Sequence, residues 1–229
     1  MTNLNQKEQY LMNTKDFLLG FINHVIDWNQ TITSDLSEER FVLQQDITLS
    51  EIQETIDGLM ANDIREIIDG VGDIIVTAGY LDYLDKGSKD YLDEEFEHEI
   101  DIDDRLDLID LVVFAKFGTI CGYVGLSLLH DILRRAEERF GQDTVQDYLI
   151  RVLRSNESKF VHPGEFDEHA ELALANEKYA GKFNDLVVTT GLFQGNEVKM
   201  IRADGGSGKL LKPSKFVEPE DIQNTVCPF

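Results

Sequence analysis

The chain reads as an all-α protein: a helical bundle followed by a small C-terminal arm that contains β-hairpins. Two observations lead to that reading. Apolar residues recur with a helical period over most of the first 155 positions. Beyond Phe160 that period gives way to short β-prone runs separated by glycine-rich turns. With 229 residues, 42% of them hydrophobic, the chain can bury one domain, or one domain with an appended arm.

The elements follow in order. A first helix is expected from about Lys7 to Asn29, with Phe17, Leu18, Phe21, Ile22, Val25, Ile26 and Trp28 as its apolar set. Ser34 or Ser37, ahead of Glu38 and Glu39, opens a second helix running through Phe41 and Leu43 to Glu54, with Ile52, Ile56, Leu59 and Met60 as its inward stripe. Asn62 and Asp63 break the chain before a third helix, whose stripe is Ile67, Ile68, Val71, Ile74 and Ile75. So short a connection makes these two helices antiparallel neighbours.

From Asp82 to Asp104 acidic residues crowd what reads as a solvated loop or frayed helix end. One long helix, Arg105 to Phe140, and another from Thr144 to Arg154 complete the bundle. The arm holds a polar helix from Asp167 to Lys182 and runs at 186–190, 197–201 and 209–212, with turns at Gln194-Gly195-Asn196 and at 204–208. The expected division is a catalytic bundle at 1–160, carrying an atypical insertion at about 85–135, and an arm at 161–229.

The second and third helices carry the chemistry. Glu51 and Glu54 on one, and Asp69 and Asp73 on the other, are spaced to share a helix face in pairs, with Glu66 a further acid on the third helix. Carboxylates gathered across a helix pair repel unless cations lie between them, and their oxygens suit a hard divalent ion. A solvated face is the ordinary explanation for any one acid in such a chain. What marks the set is Gly70 and Gly72, each costing a helix about 1 kcal/mol relative to alanine; they are expected to leave room for ions or phosphate.

Other signals are weaker. Gly205-Gly206-Ser207-Gly208-Lys209 imitates a P-loop, but Leu210 follows the lysine and the spacing is short by two, so it reads as a turn. The histidines are scattered without a paired spacing for zinc. Trp28, with Asn23 nearby, offers a ring to stack on a base and an amide to read its edge; core packing is the competing reading of Trp28.

The acidic pairs, with Arg154-Ser155-Asn156-Glu157-Ser158-Lys159 and Gly208-Lys209-Leu210-Leu211-Lys212-Pro213-Ser214-Lys215-Phe216 further on, resemble the all-α nucleotide pyrophosphohydrolases, the MazG-like and phosphoribosyl-ATP pyrophosphohydrolase-like superfamily, in its phage branch. The resemblance spans roughly 15–85 and 140–222. It implies a MazG-like bundle that binds Mg²⁺ or Mn²⁺ through Glu51, Glu54, Asp69 and Asp73 and cleaves a nucleoside triphosphate between its α and β phosphates. Glu51 or Glu54 takes the proton of the attacking water. Asn156 and Lys159 hold phosphate oxygens, and base recognition falls beside the first helix at Asn23 and Trp28. The second motif departs from the family pattern, with Gly70 where a glutamate is expected; Asp69 or Glu66 is left to fill that role. Substrates in keeping with the phage branch are dUTP, dCTP and dGTP, including conversion of dGTP or GTP to the monophosphate, and the assembly is a homodimer or homotetramer. The glycines at 118–125 are where helices approach closely, within or between chains.

Charge bounds the partners. Lys and Arg number 21 against 44 Asp and Glu, a formal net charge of −23. That field repels polymeric nucleic acid and anionic membranes, and a nucleotide approaches only with metal ions. The rival use of the charge is DNA mimicry without catalysis. Two cysteines and an N-terminus without a basic and apolar leader point to the cytoplasm, that of a host if the chain is phage-encoded.

Overall fold

The computed structural model describes residues 12–94, 105–206 and 208–222. Among these there are eight α-helices and one small open sheet: α1 (Thr14–Ile32), α2 (Glu38–Ala61), α3 (Ile64–Lys86), α4 (Tyr91–Glu94), α5 (Leu108–Cys121), α6 (Leu126–Phe140), α7 (Gln142–Glu157) and α8 (Glu168–Lys178), then β1 (Val187–Phe193), β2 (Asn196–Arg202) and β3 (Leu210–Leu211). Two compact units share the chain. One comprises residues 12–26 and 35–150, the other residues 27–34 and 151–222.

In the first unit, Phe17, Leu18, Phe21, Ile22, Val25 and Ile26 of α1 are all at most 2% exposed. The helix begins at Thr14, since Met12 and Asn13 are not helical and Asn13 Oδ1 accepts from the Asp16 N–H as a cap does; the expected start at Lys7 lies outside the described residues. Ser37 caps α2, its hydroxyl accepting from the Arg40 N–H, and Asp63 caps α3 through the N–H groups of Arg65 and Glu66. Asn62, in the left-handed region at φ 52°, ends α2.

The inward face of α2 differs from the expected stripe. Gln44, Thr48, Ile52, Thr55 and Gly58 are buried, while Met60 is 75% exposed. The polar residues on this face carry their own partners. Gln44 Nε2 donates to the Thr77 carbonyl at 3.0 Å, and the Thr48 and Thr55 hydroxyls donate to the carbonyls four residues back. With those groups satisfied, burial costs little. Glycine then favours this face over the bulkier one, because it lets α2 and α3 approach closely.

The expected helix from Arg105 to Phe140 is two. Gly122, at φ 92°, ends α5, and Gly125, at φ 90°, precedes α6. Only glycine takes such angles without strain. Asp82, expected in a solvated acidic loop, lies instead in the last turns of α3 with no exposed surface. Its two carboxylate oxygens accept from the Val124 and Gly125 N–H groups at 2.8 and 2.9 Å, which anchors the break. Gly118 serves the same turn, since a Cβ there would stand 2.8 Å from the Tyr123 carbonyl oxygen. The remainder of the acidic stretch, 95–104, lies outside the described residues.

Glu137 of α6 is a buried acid held by two donors, the Thr14 hydroxyl and Gln146 Nε2. Burial pushes its carboxyl above the ordinary range, and the two hydrogen bonds only partly oppose this. Because the folded pKa is raised, the native state holds its proton to higher pH than the unfolded chain. This group therefore subtracts stability as pH rises from the ordinary carboxylate value through the raised one. Glu137→Gln keeps an acceptor for Gln146 and a donor for Thr14 while removing the charge. Thermal melts should show the variant at least as stable as wild type at alkaline pH, with its advantage disappearing once the pH falls to the ordinary carboxylate range. A variant that loses stability relative to wild type as pH rises contradicts this.

In the second unit the strand order is β1-β2-β3, all antiparallel, with Val187 opposite Arg202 and Phe193 opposite Asn196. Gln194 and Gly195, at φ 49° and 77°, make the two-residue turn that matches strand twist. Both sheet faces are covered. Ile201 and Leu211 pack with Val161, Phe166 and Ala175; Val198, Met200 and Leu210 pack with Trp28, Ile32, Phe160 and Phe193. The polar helix expected at Asp167 to Lys182 is α8, capped by Asp167. The glycine-rich stretch after β2 is a turn into β3, with Gly206 and Gly208 donating to the Ala203 carbonyl.

Candidate functional site

The α2–α3 pair is read from its close approaches. A Cβ on Gly58 would meet Glu66 Cβ at 3.1 Å, and one on Gly70 would stand 2.3 Å from Thr55 Oγ1 and 3.1 Å from Thr55 Cα. Pairing thus runs down α2 as it runs up α3, so the helices are antiparallel. Gly70 is occupied by helix packing and leaves no room there for an ion or phosphate, contrary to expectation. Gly72 faces Leu149 of α7 at ordinary contact distance.

Thr55 and Gly70 being the facing positions, helix geometry locates the acids. At about 100° per residue, Glu51 and Glu54 lie about 40° and 100° to one side of the contact line on α2. Glu66, Asp73 and Asp69 lie about 40°, 60° and 100° to one side on α3. Antiparallel axes reverse the sense of rotation as well as the facing direction, so all of these displacements open on the same flank. Along the axes, Glu51 is about 6 Å from the Thr55–Gly70 level and Asp73 about 4.5 Å from it in the same direction, while Glu54 and Asp69 straddle that level about 3 Å apart. Glu66 is about 6 Å the other way, close to the turn at Asn62.

The side chains differ in surroundings. Glu54 is exposed, and Glu51, Asp69 and Asp73 are half-buried. Asp69 Oδ1 accepts from the Tyr148 hydroxyl at 2.6 Å, a contact across 79 residues of sequence that no local pattern announces. The Glu51 and Asp73 carbonyls accept from the Thr55 and Thr77 hydroxyls, so each acid is followed one turn later by a threonine that ties its backbone. Among the described residues, no three His, Cys, Asp or Glu side chains stand together as a ready-made ion cage.

The other candidates lie elsewhere. Asn23, in the first unit, is exposed, and its side-chain oxygen accepts from Lys89 Nζ at 2.8 Å. Trp28 belongs to the second unit, where its indole N–H donates to the Asn156 carbonyl at 3.1 Å and its ring stacks on Phe160 with centroids 5.8 Å apart. It is partly buried there, packed beside Val198, Met200 and Leu210. Lys159 Nζ donates to Asn156 Oδ1 at 2.7 Å and sits 5.4 Å from the Trp28 ring centroid. Asn156, Lys159 and Trp28 are thus one cluster, and a phosphate taken by Lys159 competes with the Asn156 amide oxygen. The Ser155 and Ser158 hydroxyls of the same segment are used structurally, Ser155 donating to the Val217 carbonyl and Ser158 accepting from the Val217 N–H.

Comparison of the chain with protein-family models, with curated proteins and with solved structures finds no match. Among the described residues no helix is long and apolar enough to cross a membrane. What the geometry defines is a class: an all-α bundle, with a small sheet, that displays acids of two antiparallel helices on one flank.

Proposed function

We propose that the chain is a metal-dependent nucleoside triphosphate pyrophosphohydrolase, releasing a nucleoside monophosphate and pyrophosphate. The observation that carries the reading is the placement of Glu51, Glu54, Asp69 and Asp73 on one flank of the α2–α3 pair at adjoining levels. An all-carboxylate donor set fits Mg²⁺ or Mn²⁺. Such a cation, when bound, supplies neutralisation of the triphosphate and polarisation at its α-phosphorus.

The chain's own groups divide the remaining work. Glu51, Asp69 and Asp73 would hold the cation, and the phenol of Tyr148, donating to one oxygen of Asp69, would leave the other for it. Exposed Glu54 accepts the proton of the attacking water. Axial position favours Asp69 over Glu66 for the role of the absent glutamate, since Glu66 is about two turns from Glu51. dGTP, GTP, dUTP and dCTP are the substrates to try first.

A panel of NTPs and dNTPs with Mg²⁺ or Mn²⁺ tests this by pyrophosphate release. Glu54→Gln and Glu51→Gln should each lower kcat by about 10²-fold or more. Tyr148→Phe should raise the metal concentration for half-maximal rate about tenfold at little cost to saturated kcat. No turnover with either metal, together with competition against DNA for a DNA-binding protein, would replace this reading with acidic mimicry.

A further inference from the structure

Within the second unit, α8 and the chain that follows β3 enclose a cleft of about 600 Å³. Glu171, Leu174, Ala175 and Lys178 fall within an arc of about 100° on α8 and form one wall. Ile201, Pro213 and Phe216 continue its apolar surface. None of the residues considered above for metal, phosphate or base lines it.

The charges in the cleft do not balance. Lys212 Nζ lies 2.8 and 3.0 Å from the two oxygens of Glu218, so each neutralises the other. Glu177 and Lys178 are exposed to solvent. That leaves Glu171, which is only 7% exposed. Its oxygens accept from the Ser214 N–H at 2.9 Å and from the Ser214 hydroxyl, and among the described residues no Lys, Arg or His pairs with it. A carboxylate buried without a cation is costly, and two neutral donors leave lone pairs on it unused.

The same cleft shows how an ammonium group is held. Lys212 Nζ sits 4.2 Å from the Phe216 ring centroid while paired with Glu218, so a carboxylate and an aromatic face share one cation. Glu171 is a second carboxylate among apolar walls, still lacking its cation. An anionic ligand would meet three carboxylates against two ammonium groups, in a chain whose net charge is −23.

We infer that this cleft binds a primary ammonium group carried on an apolar chain, the ammonium on Glu171 and the chain against Leu174, Ile201 and Phe216. A free alkyl amine and the lysine side chain of another protein share that chemistry.

Calorimetric titration of the full chain with hexylamine, hexanol and hexanoate near neutral pH tests it. Hexylamine should bind one equivalent with a Kd at or below about 1 mM, and the alcohol and the acid at least about tenfold more weakly. Glu171→Gln keeps an acceptor for the Ser214 N–H while removing the charge, and should weaken hexylamine at least about tenfold. Leu174→Lys, at a position 52% exposed and so without consequence for folding, should weaken it at least about threefold. Leu192→Lys makes the same change of charge at an exposed position on β1 outside the cleft, and should leave the affinity at its wild-type value. N-acetyl-lysine methylamide separates the two sources: binding as tight as that of hexylamine identifies a protein lysine, and much weaker binding identifies a free amine. The inference is overturned by an absence of saturable binding, by hexanoate binding as well as hexylamine, or by an affinity that Glu171→Gln and Leu174→Lys both leave unchanged. The last result would show amines merely gathering in the field of the net charge. None of these outcomes bears on pyrophosphate release, which is measured separately.

Discussion

Asp82→Ala should unfold the first unit more readily than any other single change at a polar residue, lowering stability by about 3–5 kcal/mol. The carboxylate has no exposed surface and accepts from two successive backbone N–H groups, those of Val124 and Gly125. Removing it leaves both donors without this acceptor, one buried and one part-buried, at about 1–3 kcal/mol each. It also frees the turn in which Gly122 and Gly125 take positive φ. Asp82→Asn keeps one acceptor oxygen and sets an amide N–H₂ against a backbone N–H, so its loss should be intermediate. Urea unfolding followed by circular dichroism orders the three proteins. An alanine variant within about 1 kcal/mol of wild type would show that the turn is held by other contacts.

Gly70→Ala should cost about 2–3 kcal/mol although alanine is the better helix former by about 1 kcal/mol. The new methyl would stand 2.3 Å from Thr55 Oγ1, 2.9 Å from its Cβ and 3.1 Å from its Cα, and two of those three atoms cannot rotate away. The helices must separate. Gly72→Ala is the control: its methyl meets Leu149 Cδ1 at 3.5 Å, an ordinary contact, so that variant should be neutral or up to about 1 kcal/mol more stable. In a double-mutant cycle Thr55→Ala should recover part of the Gly70→Ala loss by removing the nearest atom. If Gly70→Ala matches Gly72→Ala, the Thr55–Gly70 approach is not what brings the acid-bearing helices together. Separation of α2 from α3 also spreads Glu51 from Asp73, so the same variant should need more metal for any pyrophosphate release.

The expected helices and hairpin are legible where one residue decides a local conformation. Ser37 and Asp63 cap helices because their oxygens reach the next N–H groups, and Gln194-Gly195 turns a hairpin because both take positive φ. Gly122 and Gly125 carry the same kind of signal. It is masked because the apolar run across them keeps a helical period, and the partner that fixes the break is 42 residues away in α3. The spacing of Glu51, Glu54, Asp69 and Asp73 is readable as faces of two helices. Tyr148, which orients Asp69, is not, since its hydrogen bond exists only once α7 lies beside α3.

The sequence by itself determined the helical character of the chain, the antiparallel α2–α3 pair through its two-residue connection, and the density of negative charge. Tertiary structure decided which side of α2 faces inward. Hydrophobicity pointed to Ile56, Leu59 and Met60; packing chose Gln44, Thr48, Thr55 and Gly58 with Ile52. The reason is that burial rewards close approach and satisfied hydrogen bonds as well as apolar area, and the threonines, the glutamine and Gly70 supply both. That rotation of α2 is what turns Glu51 toward the flank it shares with Asp73.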